Sequence, residues 1–288
     1  MTGTLYIVAT PIGNLEDITQ RALRVLGEVD VVACEDTRRT RVLLNHFGIK
    51  TKTISYHEHN ERERAEQLCK LLLSGKNVAL VSDAGTPLIN DPGFRLTKAA
   101  IELNLAVVPI PGPTAFVSAL VASGLPSEQF FFAGFLPARA NARRAKLAEL
   151  IAIPATLVFY EAPHRIAATL EDALEVLGNR PAAVARELTK IHEEIARGNL
   201  RELSQRFSTG SLAARGEIVL VISGAAVDEA ATTGETEPAS RRLIERVSEL
   251  EREGLEAKAA LKKAARELGL KRAQAYRLLV AQRNRRNK

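Results

Sequence analysis

Residues 80–93 read LVSDAGTPLINDPG, and the fold turns on how that stretch divides. Leu80 and Val81 belong to an apolar run, NVALVS (77–82), with the composition of a buried strand. From Ser82 to Gly93 the chain is rich in Gly, Pro, Asp and Asn. Those residues set tight turns and leave backbone N–H and C=O groups free to meet a ligand. One polar loop at the mouth of a strand is only a connector. The arrangement recurs, however, in ATPIGN (9–14), CEDTRRT (34–40), YHEHNE (56–61) and PIPGPTA (109–115), each after an apolar run. Ligands of α/β sheets bind beyond the carboxyl ends of the strands, so the succession predicts a site there.

Working outward, the runs TLYIVA, VVAC, TISY, NVALVS and AVVPI alternate with the helical patterns ITQRALRVLG, TRRTRVLLNHFG, ERERAEQLCKLLLSG and FRLTKAAIELN. Alternation of this kind predicts a mainly parallel sheet covered by helices. Gly48 and Gly75 stand where helices commonly end. After PGPTAFVSALVASG come the strand-like FFFAGF, ATLVFY, AAVARE and EIVLVISG, separated by helical segments. These give a second α/β domain, so the expected division is 1–113 and 114–224. Residues 225–238 (AAVDEAATTGETEP) lack large apolar side chains and read as an acidic flexible linker. Residues 239–288 form a basic helical module. Its core LKKAARELGLKRAQAYRLLV fits a helix-turn-helix around Gly269, with Lys271, Arg272 and Arg277 on the second helix. A solvated helical hairpin used for dimerisation fits the same composition.

The chain has 288 residues, 46% apolar and 26% charged, which are globular values. Its two cysteines, Cys34 and Cys69, have no CxxC spacing, so a reducing, cytoplasmic setting without disulfide or zinc is expected. MTGTLYIVATPIGN has no basic leader, and no segment approaches the roughly 20 apolar residues of a membrane span. The net charge of +6 is uneven. Residues 1–224 hold 25 Lys and Arg against 24 Asp and Glu, whereas residues 239–288 hold 15 against six. A basic module on a neutral body suggests a polyanionic partner. Neither GxGxxG nor GxxxxGK[ST] occurs, which argues against dinucleotide and nucleoside-triphosphate folds.

The ordered segments GTLYIVATPIGNLEDIT, VACEDTRRTRVLL, YHEHNE, VSDAGTPLINDPG, PGPTAFVSAL, VFYEAPHRI and ARELTKIHEE resemble the tetrapyrrole-methylase superfamily, within it the branch that acts on small-subunit ribosomal RNA. The resemblance covers residues 3 to 224 and implies a class III methyltransferase, commonly a homodimer, with S-adenosylmethionine in a cleft between two α/β domains. Matched by motif, the cofactor contacts it implies are Pro11, Ala84, Gly85, Thr86, Pro87, Ile89, Thr114, Ala115, Glu161 and Leu188. Thr86 departs from the family pattern, which commonly has aspartate there, and Asp83 or Asp91 is expected to compensate. The implied reaction is 2′-O-methylation of a decoding-centre cytidine in 16S ribosomal RNA of the small subunit, with no metal.

Proton transfer in such a reaction needs a base near the ribose hydroxyl. Glu35, Asp36, His57 and Lys190 are the candidates, with Arg38, Arg39 and Arg41 as phosphate contacts. Asp36 equally suits an N-cap for the TRRTRVLL helix, and Lys190, Glu193 and Glu194 a solvated helix face. Two other readings remain open: a methyltransferase acting on a tetrapyrrole or other small molecule, and a non-catalytic nucleic-acid-binding protein.

Overall fold

The structure is a computed structural model describing residues 1–212, 215–225, 239–252, 255 and 257–267. The chain divides into two compact units, Met1–Ala225 and Ala226–Lys288.

The first unit opens with a parallel sheet of β1 (Thr4–Val8), β2 (Val31–Cys34), β3 (Lys52–Ser55), β4 (Val78–Val81) and β5 (Ala106–Ile110). Its order is β3-β2-β4-β1-β5. Helices α1 (Gln20–Glu28), α2 (Thr37–His46), α3 (Glu61–Leu73) and α4 (Phe94–Glu102) make the crossovers. Successive strand residues point to opposite faces. Val31, Ala33, Val78 and Leu80 therefore pack with Leu68 and Leu96 of α3 and α4. Val32, Cys34, Ala79 and Val81 pack with Leu26 and Leu44 of α1 and α2. Burial on both faces explains why these strands read as unbroken apolar runs.

The second sheet contains β6 (Phe130–Phe135), β7 (Thr156–Glu161), β8 (Pro181–Arg186), β9 (Glu194–Asn199) and β10 (Ile218–Ile222). Its order is β6-β7-β10-β8-β9, and only the β6–β7 pair is parallel. Helix α5 (Ala115–Ser123) covers one face with Ala119 and Leu120. Helices α6 (Ala140–Leu150), α7 (Ile166–Leu177) and α8 (Leu200–Ser208) cover the other with Leu147, Leu170 and Leu203. Ile12, from the loop after β1, joins the α5-side core beside Val158, Ala185, Leu188 and Val219. The first loop of the chain is thus a packing element of the second sheet.

One expectation is corrected. The segment holding Lys190, Glu193 and Glu194 is not a helix face: Glu187 and Thr189 take left-handed conformations (φ 49 and 66), and Glu194 begins β9. Arg186 and Glu194 stand opposite in the β8–β9 register and form an ion pair of 2.8 Å. β9 escaped the sequence reading because EIARGN has no apolar alternation to mark a strand.

In the second unit, α9 (Ala239–Arg252) and α10 (Ala257–Glu267) pack through Leu243, Val247, Leu250, Ala260 and Ala264. Arg246 joins them by a 2.7 Å ion pair to Glu267. Lys271, Arg272 and Arg277, like the helix-turn-helix centre at Gly269 and the expected linker 226–238, lie outside the described residues. Among the described residues no helix is long and apolar enough to cross a membrane.

Arg143 and Asp172 are both buried and joined between α6 and α7 by a 2.6 Å hydrogen bond from Nε to Oδ2, while Arg144 holds the other carboxylate oxygen at 2.6 Å. Removing one member of a buried pair strands the other charge in a low dielectric. We expect Asp172→Ala to destabilise the first unit by about 3–5 kcal/mol, read from its urea unfolding midpoint.

Candidate active site

The loops after β1, β4 and β5 converge because their strands are adjacent in the order β4-β1-β5. Thr10 and Gly85 exchange both backbone hydrogen bonds, at 2.9 Å and 3.0 Å. The Thr10 hydroxyl donates to the Ser82 carbonyl at 3.1 Å. Gly85 has φ 83, a region that costs L side chains strain and glycine none. Thr86 Oγ1 donates to the Pro113 carbonyl at 3.2 Å, so the Thr114 hydroxyl, 2.7 Å away, donates to Thr86. Where an aspartate was the family's expectation, a threonine therefore ties two of the loops together.

A cavity of about 410 Å³ lies over these loops and is closed by the ends of β7 and β10. Of the expected cofactor contacts, Ala84, Gly85, Thr86, Ile89, Thr114, Ala115 and Glu161 line it. Pro11, Pro87 and Leu188 are not in its wall. Pro11 and Pro87 are buried beside neighbours that are, and Leu188 lies in the hydrophobic core behind it, in contact with the cluster holding Ile12 and Val219. Glu161 is fully buried; Thr169 donates to it at 2.6 Å and Arg165 pairs with it at 3.0 Å, so its charge is held within the second sheet.

The candidate acid–base residues separate. Asp36 caps α2, accepting from the Arg38 backbone N–H and side chain, and those hydrogen bonds lower its pKa to about 2. A carboxyl held so low is a weak base. Lys190 is pulled down by burial, but Glu187 and Glu217 outweigh this and hold it as an ammonium, with contacts of 2.8 Å and 3.2 Å. His57 follows β3, the edge strand farthest from β1 and β5, and does not line the cavity. Its backbone N–H donates to Asn60 Oδ1 at 2.9 Å. In the same loop Tyr56 donates to Glu61 at 3.0 Å, and Glu61 accepts from Gly93 N at 3.2 Å, which anchors the end of the 82–93 loop.

Asp83 and Asp91 both line the cavity. Asp83 accepts from Asp36 N at 3.1 Å and pairs with Arg39 at 3.2 Å, bringing the loops after β2 and β4 together. The Asp91 carboxyl is pushed up to about 6, first by desolvation and then by the negative charges of Glu35 and Asp83. Arg39 reaches the cavity wall, whereas Arg38 is spent on Asp36 and Arg41 is exposed. Sequence reasoning missed Ile12, Asn90, Phe135, Tyr160 and Glu217 as lining residues. Tyr160 is raised to about 12, chiefly by burial. The signal that could have found Phe135 is Gly134 inside a strand pattern, which marks a bulge.

Fold and cavity define a two-sheet methyltransferase: the chain belongs to the family of tetrapyrrole (corrin/porphyrin) methylases, which it matches over residues 4–204. It is 55% identical over 223 residues to the ribosomal RNA small subunit methyltransferase I of Micromonospora olivasterospora, covering 77% of this chain and 71% of that one. It is 52% identical over 223 residues to the protein of that name from Escherichia coli O157:H7, covering 77% and 78%. Among solved structures it resembles uroporphyrin-III C-methyltransferase from Thermus thermophilus complexed with S-adenyl homocysteine. The TM-score is 0.53 and the identity 20%, over 77% of this chain and 97% of that one, a likeness of fold. The chain is an S-adenosylmethionine-dependent methyltransferase.

A Cβ at Gly85 would meet Ile12 Cγ2 at 3.4 Å in a left-handed backbone. Gly85→Ala should cost about 1–2 kcal/mol of stability from that backbone alone, and weaken S-adenosylmethionine binding in calorimetric titration as the loop shifts.

Proposed function

We propose that this methyltransferase transfers the methyl group of S-adenosylmethionine to the 2′-hydroxyl of a cytidine in the decoding centre of 16S ribosomal RNA. The observation that carries the reading is the joint presence, in one cavity, of the family's loop residues, a desolvated carboxylate at Asp91 and a guanidinium at Arg39. The names of the relatives support ribosomal RNA as the substrate class. The basic module, with 15 Lys and Arg against six Asp and Glu, suits phosphate contacts.

The cavity fits the methyl donor on its own chemistry. Its volume of about 410 Å³ falls in the range of small-molecule sites, and Ile12, Ile89, Ala115 and Val219 offer apolar walls beside the carboxylate of Asp83. Ala84 to Thr86, Thr114 and Ala115 would hold it, and when bound it supplies a methyl group activated by a sulfonium. In the proposed division of labour, residues 1–113 bring the substrate loops and part of this wall, and residues 114–224 the remainder.

Asp91 accepts the proton as the ribose oxygen becomes a nucleophile. Of the carboxylates described, it alone is both in the cavity and raised to about 6, close to the working pH, where a base is most effective. Glu35 and Asp83 act by holding that value up. Arg39, drawn toward the cavity by Asp83, grips a flanking phosphate.

The direct test incubates labelled S-adenosylmethionine with unmethylated small subunits, free 16S RNA and a tetrapyrrole in parallel. Label at a single alkali-resistant cytidine linkage is the expected result, and label only in the tetrapyrrole would overturn the reading. Asp91 is protonated and inactive below its pKa, so kcat should rise with pH through about 6 and then level. Asp91→Asn should lower kcat by about 100- to 10,000-fold with donor affinity retained. Deleting residues 239–288 should raise KM for the RNA substrate and flatten its salt dependence, while donor binding persists; unchanged RNA kinetics would reduce the module to an element of assembly or solubility.

A further inference from the structure

β6 is an edge strand whose pairing with β7 slips between Phe132 and Phe135, and Gly134 within the slip has φ 64. A bulge of this kind reverses which face the following side chains take. Phe132 packs on the α5-side core and Ala133 on the opposite one, so an unbroken strand would send Phe135 to the side of Ala133. After the slip Phe135 stands opposite Tyr160, on the α5 side, with the two rings 5.5 Å apart at 54°. Leu136 then enters the core that Ala133 faces. The bulge therefore turns Phe135 into the cavity wall.

The loop on the other side of the cavity fits this irregularity. A Cβ at Gly134 would lie 2.6 Å from Asn90 Nδ2 and would sit on a left-handed backbone (φ 64), so glycine suits the close approach of the Asn90 side chain to β6. Leu88 and Asn90 adopt left-handed conformations (φ 72 and 61), costly for leucine and tolerated by asparagine, and Asp91 follows Asn90 in the same wall. Phe135 as a whole is nonetheless 56% exposed. A phenylalanine turned by a bulge toward solvent contributes little to the core. At the rim of a cavity with a carboxylate and a guanidinium, it offers an unused π-face.

We infer that Phe135 is the platform on which the base of the methyl-accepting nucleotide stacks, splayed out of the RNA so that its ribose meets Asp91. This rests on the reading of the cavity as an RNA 2′-O-methylation site. Single-stranded or splayed nucleotides are held by aromatic stacking, which is tolerant of base identity. Phe135 thus positions the base, while the cofactor loops hold the donor.

The test compares Phe135→Ala, Phe135→Leu and Phe135→Trp with the unaltered enzyme on unmethylated small subunits, alongside calorimetric titration of each with S-adenosylmethionine. Phe135→Ala should lower kcat/KM for the subunits by about 5- to 150-fold, the range of one base–aromatic stack, with donor Kd unchanged. Phe135→Trp should restore most of the loss and Phe135→Leu little, since leucine replaces the volume but not the π-face. Parallel weakening of donor binding would assign the ring to the donor's adenine. Equal rescue by leucine and tryptophan would reduce it to packing. Either result overturns the stacking role while leaving the methyl acceptor as proposed. Absence of label in RNA with the unaltered enzyme would instead remove the reading beneath it, and the stacking role with it.

Discussion

The two-way backbone hydrogen bond between Thr10 and Gly85 is the constraint on which the site depends. It fixes the loop after β1 to the loop after β4, and the Thr86–Thr114 contact extends the tie to the loop after β5. Beyond Thr10 the chain inserts Ile12 into the core of the second sheet. One short segment thereby sets the cavity floor and joins the sheet that completes its wall. Loops can be held this rigidly because their backbone groups are satisfied by one another rather than by water.

Charge in and around the cavity is managed by selective pairing. Asp36 is satisfied by Arg38, Asp83 by Arg39 and Glu161 by Arg165, each in a short ion pair. Asp91 lies among Glu35 and Asp83, so burial and repulsion act on it in the same direction. Asp36 and Asp91 thus take different chemical states. The carboxyl proposed as the base is raised by burial and by negative neighbours, while the fold supplies cations to other carboxylates around it.

Much of this was legible along the chain. The strand-end loops were visible as repeated clusters of Gly, Pro, Asp and Asn after apolar runs, and Ala84 to Thr86, Thr114 and Ala115 do meet in one cavity. The capping alternative for Asp36 was also legible, since an acid one residue before a helical pattern suits an N-cap. Other features left no local trace. β9 has no apolar alternation, and the distance of His57 from the cavity follows from β3 lying at the sheet edge. Lys271, Arg272 and Arg277, expected on a second helix of the C-terminal module, lie outside the described residues.

The sequence alone determined the period of the strands, the composition of the loops and the order in which they come, because turn chemistry and hydrophobic alternation act over a few residues. Tertiary structure decided which loops became neighbours, since β1 lies between β4 and β5 although two strands separate it from β4 in the chain. It also decided that Phe135 faces the cavity, through a slip in strand pairing, and that Asp91 is raised while Asp36 is lowered. Side-chain direction after a bulge and the pKa of a carboxyl depend on partners brought from elsewhere in the chain, and that information exists only once the sheets are assembled.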